Sequence, residues 1–393
     1  MTTRFAMHHA AALLTLSMAP PVLAGIDPCD PEYFAVLGAA SFTRDVEIAG
    51  DLLFVLDDSV HGQSETGLRI FDITDPGDPT LLASFPTPGF ASDIHIAGGT
   101  AYIADGAVGG LLILDISDPA APIRLGSIDT PGPCLAVDVR GAVAAVADGD
   151  HGIRLIAVGL PASPFEVGSL DTEGIATDVL FEGGTLFVAD RLNGLLSVDI
   201  SDPSAPVLTG QVGTQGSAFG LSRSPVDETL YVAEYEGGLL VVDISSPDSP
   251  SPIGEVDTPG SARSMLAVGT DVLLADMASG LHRVDASDAM FVGIAETFPT
   301  SGSAMAVALA GEIAFVADNQ GGVLVLNLQE CDVCLADFAP PFGWLDLDDL
   351  SAFRSSFNYG YPDTRAWELA EPLDVGDMAD IVAFVTSFSA GCP

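Results

Sequence analysis

The chain has 393 residues, of which 12 are basic and 55 are acidic, so its formal net charge is −43 at pH 7. So few cationic side chains cannot neutralise a phosphate backbone, and the composition argues against a nucleic-acid partner. Cations and basic surfaces are the natural partners of such a surface, although an acidic surface that only keeps a protein soluble has the same composition.

The first predicted element is a signal peptide over residues 1–24. Arg4 precedes an apolar run over residues 10–23, which ends on the small residues that a signal peptidase recognises. Pro20 and Pro21 interrupt the run well short of the ~20 residues that a transmembrane helix needs. We therefore expect the mature chain to begin near Gly25 and to be exported to the periplasm, the cell surface or the medium.

Residues 25–330 contain one pattern repeated seven times. Its clearest copy is GLLSVDISDPSAP from Gly194 to Pro206, and the other copies begin at Gly67, Gly110, Gly152, Gly238, Gly280 and Gly322. Each period contains four short β-rich runs separated by turn residues, for example residues 176–181, 185–189, 195–200 and 207–212. Four strands at a period of about forty residues predict a β-propeller blade.

The last of the seven units ends before its fourth strand. The Asp-Pro-x-x-Pro turn that should precede this strand occurs instead at residues 27–31, and residues 34–42 supply a β-rich run after it. We therefore expect the N-terminal strand to complete the seventh blade, because a closed ring leaves no exposed sheet edge between its ends. The predicted fold is an all-β, seven-bladed propeller closed by an N-terminal strand.

The run LLVVDIS at residues 239–245 resembles the LVIVD repeat of exported bacterial and archaeal proteins. The resemblance extends over residues 27–328 and implies a β-propeller, often with a role at the cell surface. It brings no established catalytic residues. Two units depart from the pattern, because Ala157 and Asn327 stand in the place of the motif aspartate.

Residues 331–393 form two units of 31 residues, each an acidic loop followed by an apolar-faced helix, which is the layout of paired calcium loops. This tail resembles a dockerin, in the variant that ends in Gly-Cys-Pro at residues 391–393. The resemblance implies a small helical domain with calcium ligands at Asp337, Asp346, Asp349, Glu368, Asp377 and Asp380. Ala339, Pro341, Ala370 and Pro372 replace middle ligands, so a helical hairpin without metal is the alternative.

The five cysteines suggest disulfides in an exported chain. Cys29 lies in the N-terminal turn and Cys331 just after the last repeat, so we expect these two to join the ends of the ring. Cys334 and Cys392 flank the tail and are expected to pair with each other. The Cys-x-x-Cys spacing of Cys331 and Cys334 is also compatible with a redox or zinc role. Cys134 is left as a buried thiol.

Two sets of carboxylates should share one face of the propeller. The first set, which we call the ring acids, ends the second strand of every blade, and this sevenfold recurrence indicates a structural role in the turns. The ring acids are Asp57, Asp105, Asp148, Asp190, Glu234, Asp276 and Asp318.

The second set lies on the innermost strands and is asymmetric. Asp45, Asp93, Asp138 and Asp178 have Gly220, Ser264 and Ala306 as their predicted equivalents in the later blades. Glu47, His95 and Arg140 follow two residues later on the same strand faces. We call Asp45, Glu47, Asp93, His95, Asp138 and Asp178 the channel cluster; it could hold a cation or supply an acid and a base, or serve only as hydrogen-bonding positions.

These patterns support three hypotheses. The first is a secreted or cell-surface, non-catalytic binding or scaffold protein, displayed through its tail and contacting an extracellular protein or a surface polysaccharide. The second is an extracellular propeller hydrolase or lyase that acts on a polysaccharide or lactone through the channel cluster. The third is a purely structural array protein. The chain has no Gly-x-Ser-x-Gly, phosphate-loop or His-Glu-x-x-His motif, and we interpret His61, His151 and His282 as surface or turn residues.

Overall fold

A computed structural model describes residues 33–37, 42–58 and 67–328, where the chain forms 28 β-strands and one short helical turn, α1 (Gly106–Gly109). The first strand is β1 (Tyr33–Leu37). Blades 1 to 3 contain β2 (Phe42–Ala49), β3 (Leu52–Asp58), β4 (Gly67–Asp72), β5 (Thr80–Pro86), β6 (Asp93–Ala97), β7 (Thr100–Ala104), β8 (Leu111–Asp115), β9 (Ile123–Ile128), β10 (Ala136–Arg140), β11 (Val143–Ala147), β12 (Ile153–Ala157) and β13 (Phe165–Leu170).

Blades 4 to 7 contain β14 (Ala176–Glu182), β15 (Thr185–Asp190), β16 (Gly194–Asp199), β17 (Val207–Val212), β18 (Gly220–Arg223), β19 (Thr229–Ala233), β20 (Leu239–Asp243), β21 (Ser251–Val256), β22 (Ser264–Val268), β23 (Asp271–Ala275), β24 (Leu281–Asp285), β25 (Gly293–Phe298), β26 (Ala306–Ala310), β27 (Ile313–Ala317) and β28 (Val323–Asn327). Seven four-stranded antiparallel sheets result, which confirms the predicted seven-bladed propeller.

The seventh sheet closes the ring with the N-terminal strand, in the order β1, β28, β27, β26. β1 pairs antiparallel with β28, with Ala35 opposite Val325 and Leu37 opposite Val323. The predicted closure is therefore confirmed. The predicted bounds of the closing strand, residues 34–42, are wrong at the C-terminal end, because Phe42 already begins the inner strand of blade 1.

The hydrophobic core consists of seven layers, one between each pair of neighbouring blades. Phe71 of blade 1 packs with Phe315 and Val325 of blade 7, so the layer at the closing junction resembles the others. The second and third strands are buried on both faces, whereas the outer strands are largely exposed, as β15 and β17 of blade 4 show. Burial on both faces explains the near-continuous apolar runs of these strands.

The motif aspartates serve as turn residues. Asp199 Oδ1 accepts the backbone N–H of Ser201 at 2.8 Å, and Asp202 Oδ1 accepts that of Ser204 at 3.0 Å. The hydrogen bond from the Ser201 hydroxyl, followed by that from its backbone, lowers the pKa of Asp199. The fold thus explains the recurring motif, because its aspartates close the turns between strands.

Several predictions lie outside the described residues. These are the signal peptide, the tail with its six calcium ligands, His61, and the cysteines Cys29, Cys331, Cys334 and Cys392. In the part of the chain that the structure describes, no helix is long and apolar enough to cross a membrane. Cys134 is fully buried with a free thiol, as predicted, and burial raises the pKa of this thiol well above its ordinary value.

Candidate functional site

The ring acids are buried at the face of the disc where the inner strands begin, and each is at most 3% exposed. Most of them accept a backbone N–H from the Thr-x-Gly junction that precedes the inner strand of the same blade. Examples are Gly89 N to Asp105 Oδ2 at 2.8 Å, Gly132 N to Asp148 Oδ1 at 3.1 Å, Gly260 N to Asp276 Oδ2 at 2.7 Å and Gly302 N to Asp318 Oδ2 at 2.7 Å. The predicted structural role is confirmed.

Three ring acids also contact an arginine or histidine side chain, which always comes two residues after the repeat glycine. Arg69 contacts Asp57, and Arg154 Nε lies 2.9 Å from Asp148 Oδ2. The third is His282, whose Nε2 lies 3.0 Å from Asp276 Oδ2.

The interpretation of His282 as a surface or turn residue is wrong. Its side chain is 1% exposed, and its Nδ1 lies 2.9 Å from the Thr297 hydroxyl oxygen. Both ring nitrogens thus have partners inside blade 6, because position 282 of the repeat points at the ring acid. His151 is exposed beside Asp150, as expected.

The channel cluster occupies two tiers of the inner strands. In the first tier, Asp45, Asp93 and Asp178 lie opposite Leu56, Ala104 and Ala189, the residues that directly precede the ring acids. Asp138 lies opposite Ala145, two residues deeper, in the same tier as Glu47 and His95. The predicted equivalence of Asp138 with the other three aspartates is therefore wrong, because strand pairing makes Ala136 the first-tier residue of blade 3.

In both tiers, the side chains form hydrogen bonds to the neighbouring blade in the same pattern. Each side-chain oxygen accepts the N–H of the residue that follows the equivalent position in the next blade. In the first tier the pairs are Asp45 with Ile94 (3.1 Å), Asp93 with Val137 (2.6 Å) and Asp178 with Leu221 (2.7 Å). In the second tier they are Glu47 with Ile96 (3.2 Å), Asp138 with Phe181 (2.7 Å) and Ser222 with Ala267 (3.0 Å).

Burial and mutual repulsion favour the neutral forms of these acids. Burial raises the pKa of Glu47 to about 8, and the charges of Asp45 and Asp138 add to the effect. Burial likewise raises the pKa of Asp178 to about 7 and that of Asp93 well above its ordinary range. In the channel cluster, Glu47 thus holds its proton at neutral pH, and Asp178 exchanges its proton close to neutral pH.

One part of the channel cluster has an acid–base geometry. His95 Nδ1 lies 3.3 Å from Asp138 Oδ1, and both side chains are partly exposed to the channel. Burial lowers the pKa of His95, against the opposing effect of Asp138. Glu47 Oε2 is buried without a hydrogen-bond partner in the described chain. Arg140 does not join this group, because its guanidinium donates to the carbonyl of Gly183 in the next blade.

Metal binding in the channel finds no support in the geometry. Within residues 33–37, 42–58 and 67–328, no three carboxylate, imidazole or thiol groups are arranged to hold a metal ion. Each of the five channel carboxylates accepts a backbone N–H of the next blade, so hydrogen bonds between blades orient these side chains.

A second group at the same channel mouth is absent from the predictions. Arg191, Phe219, Tyr235 and Arg263, which we call the mouth cluster, come from blades 4, 5 and 6. The Cζ atoms of Arg191 and Arg263 lie 4.2 and 5.7 Å from the centroid of the Phe219 ring. Tyr235 stacks on Phe219 with centroids 4.9 Å apart. The signal in the sequence was available, since these residues break the repeat beside the ring acids and at the starts of inner strands.

The sequence profile of the LVIVD repeat matches residues 42–87, 88–130, 173–214, 229–258 and 301–327. The third unit, in which Ala157 replaces the motif aspartate, falls between two matches. No curated protein is significantly similar to the chain.

Solved structures with similar folds are remote in sequence. A chain of a mitotic checkpoint complex superposes with a TM-score of 0.62 at 11% identity, over 79% of this chain and 99% of that one. U3-55K gives 0.60 at 12% identity, over 77% and 100%. The computationally designed protein Ika8 gives 0.57 at 10% identity, over 76% and 100%. At such identities the similarity concerns the fold alone.

Proposed function

Because the chain is a β-propeller built from LVIVD repeats, we propose that it is an exported, non-catalytic binding or scaffold protein. The observation that carries this proposal is the hydrogen bonding of the channel carboxylates. Asp45, Asp93, Asp138 and Asp178 each accept a backbone N–H of the next blade at 2.6–3.1 Å. A carboxylate that holds two blades together is poorly placed to exchange protons with a substrate.

Export and display form the second part of the proposal and rest on the ends of the sequence. Residues 1–24 have the pattern of a signal peptide. Residues 331–393 resemble a dockerin, which would attach the propeller to an extracellular protein or a surface polysaccharide. The acidic side chains at Asp337, Asp346, Asp349, Glu368, Asp377 and Asp380 would hold calcium in this tail.

Export is tested by expressing the full chain in a bacterial host and fractionating the cells. We expect the protein outside the cytoplasm with Gly25 as its first residue. An uncleaved protein in the cytoplasm would contradict export.

The alternative, an extracellular hydrolase or lyase, is favoured by one observation. Glu47, protonated near neutral pH, lies in the same tier as His95 and Asp138, and one of its oxygens has no partner. A protonated carboxyl and an imidazole could act as acid and base on a polysaccharide or lactone in the channel.

One assay separates the two functions. The mature protein and the variant Glu47→Gln/His95→Ala are incubated with neutral and acidic polysaccharides and with lactones, while new reducing ends, unsaturated products and ring opening are recorded. We expect no turnover by the mature protein above that of the variant. Turnover that the double substitution abolishes would overturn the non-catalytic function and establish the enzyme.

A further inference from the structure

The mouth cluster gathers positive charge in a chain that is otherwise strongly acidic. Arg191 and Arg263 both contact the Phe219 ring, and Arg44 of blade 1 is close enough to repel the charge of Arg263. Three of the 12 basic residues of the chain thus lie around one end of the channel. Repulsion among guanidinium groups costs stability, and burial together with this repulsion lowers the pKa of Arg263.

The two guanidinium groups that contact Phe219 form no ion pair with a carboxylate in the part of the chain that the structure describes. Among the described residues, neither Arg191 nor Arg263 has a carboxylate oxygen within 4.0 Å, and their side chains contact the aromatic ring instead. A guanidinium that stacks by its face on an aromatic ring keeps the N–H groups at its edge available. These edges are suited to a bidentate contact with a carboxylate.

The aromatic residues of the mouth cluster are held rigidly. Tyr235 has a left-handed backbone conformation, with φ at 46°. Its N–H donates to the carbonyl of Ala262 at 3.0 Å, and the N–H of Ala262 donates back at 2.9 Å. This reciprocal bridge joins blades 5 and 6 and fixes the stacking of Tyr235 on Phe219. The arginines therefore rest on a preformed surface, which lowers the entropic cost of binding.

An acidic side chain of the channel cluster, Asp45, lies close to Arg263. Asp45 and Arg263 are close enough to interact electrostatically, and Asp45 also hydrogen-bonds Asp93. The carboxyl groups can accept hydrogen bonds from hydroxyls, and the aromatic rings offer a face for C–H groups. The guanidinium groups can donate hydrogen bonds to a carboxylate. A uronic acid unit carries all three of these features.

We propose that the mouth cluster binds a uronic acid unit of an acidic saccharide. Arg191 and Arg263 hold the carboxylate, Tyr235 contacts the sugar ring, and Asp45 and Asp93 accept hydrogen bonds from its hydroxyls. This site rests on the proposed binding function and names its ligand class. The surrounding negative charge of the protein disfavours other anions that cannot also use the hydroxyl acceptors.

The test is calorimetric titration of sodium glucuronate into the mature protein at constant ionic strength. Glucose, which lacks the carboxylate, and acetate, which lacks the hydroxylated ring, are the comparison probes. We expect saturable binding of glucuronate and none of glucose or acetate at the same concentrations. Arg191→Gln and Arg263→Gln should each weaken binding about tenfold or more, as expected for a charge-assisted hydrogen bond. Arg263→Lys should also bind weakly, because lysine keeps the charge and loses the bidentate edge.

Arg124→Gln is the matched control, since Arg124 is an exposed arginine on the outer strand β9, and it should bind like the parent protein. If the arginine variants fail to fold, the melting temperature of the parent protein still tests whether glucuronate binds. Glucuronate should raise this temperature above that in an equal concentration of sodium chloride, whereas glucose should not.

Absence of saturable glucuronate binding, or equal binding by glucose, would overturn the site and leave the exported binding function standing. Turnover of a uronic acid polymer with intact glucuronate binding would have the opposite meaning, because it would overturn the non-catalytic function and support the site.

Discussion

Single acidic side chains in the channel accept hydrogen bonds from backbone N–H groups that an inner strand cannot pair within its own sheet. An inner strand is the edge of its sheet, so part of its backbone N–H groups point away from its own blade and need acceptors. Asp138 provides two such contacts, with the N–H of Phe181 in the next blade at 2.7 Å and with that of Val139 at 2.8 Å. These hydrogen bonds thus give the acids of the channel a structural role between the blades.

Asp138→Ala should lower the free energy of unfolding by about 1–3 kcal/mol, because it leaves buried backbone donors without an acceptor. The measurement is urea unfolding at pH 6. The matched control is Asp150→Ala, since the side chain of Asp150 is 70% exposed and its removal should change the free energy by less than about 0.5 kcal/mol. Equal effects of the two substitutions would contradict the inter-blade role of Asp138.

Neighbouring blades also contact each other at the rim, where a turn of one blade packs on the outer strand of the preceding one. The Asp-Pro turn before β17 lies against Gly168 of β13 so closely that a Cβ atom at Gly168 would be 2.2 Å from the carbonyl oxygen of Pro203. Gly126 meets Pro161 in the same way at 2.2 Å. The glycine in the outer strands is therefore required by packing between elements.

Gly168→Ala should destabilise the protein by about 1–3 kcal/mol, because the added methyl group forces the turn and the strand apart. The effect is read from thermal or urea unfolding. Gly293→Ala is the matched control, since Gly293 begins the outer strand β25 and has an ordinary backbone conformation. A Cβ atom added at Gly293 would have no atom outside this residue and its two chain neighbours within 4 Å. A neutral Gly168→Ala, or an equally harmful Gly293→Ala, would refute this explanation.

At the scale of the whole molecule, the balance of charge determines how stability depends on pH. Burial raises the pKa of Glu47 to about 8, of Glu234 to about 7 and of Asp105 to about 6. A raised pKa means that the folded state binds the proton more tightly than the unfolded state, so stability is lost as pH rises from the unfolded pKa to the folded one. The net charge of −43 acts in the same direction through repulsion.

The exposed motif aspartates change the pH dependence of stability in the opposite direction. Hydrogen bonds within their turns lower the pKa of Asp72, Asp115 and Asp243. Their contribution is present above the ordinary pKa of 3.8 and is lost as pH falls through the lowered values.

We therefore expect a maximum of the melting temperature between about pH 4 and pH 6, with a decline towards pH 8. The measurement is thermal unfolding from pH 3 to pH 9 at constant ionic strength. Glu47→Gln imitates the protonated side chain and should flatten the decline between pH 5 and pH 8. A melting temperature that rises from pH 6 to pH 8 would contradict the raised pKa values.

The repeat alone was sufficient to predict the architecture. Glycines, turn prolines and apolar runs recur with one period, and short-range physics connects each of them to a strand or a turn, so seven blades and the closing strand β1 follow from counting. The structural role of the ring acids could be inferred in the same way, since most of them accept a hydrogen bond from a junction that recurs with them.

Only the tertiary structure decided which residues meet across blades. The position of Asp138 depended on strand pairing, because a shift of two residues keeps the same strand face and leaves no trace in the sequence pattern. His282 faces a ring acid because of how the strands pack. The repeat pattern marks the irregular positions of the mouth cluster, but only the packing of three blades shows that they are in contact. The sequence determined the blades, and the packing between them determined the site.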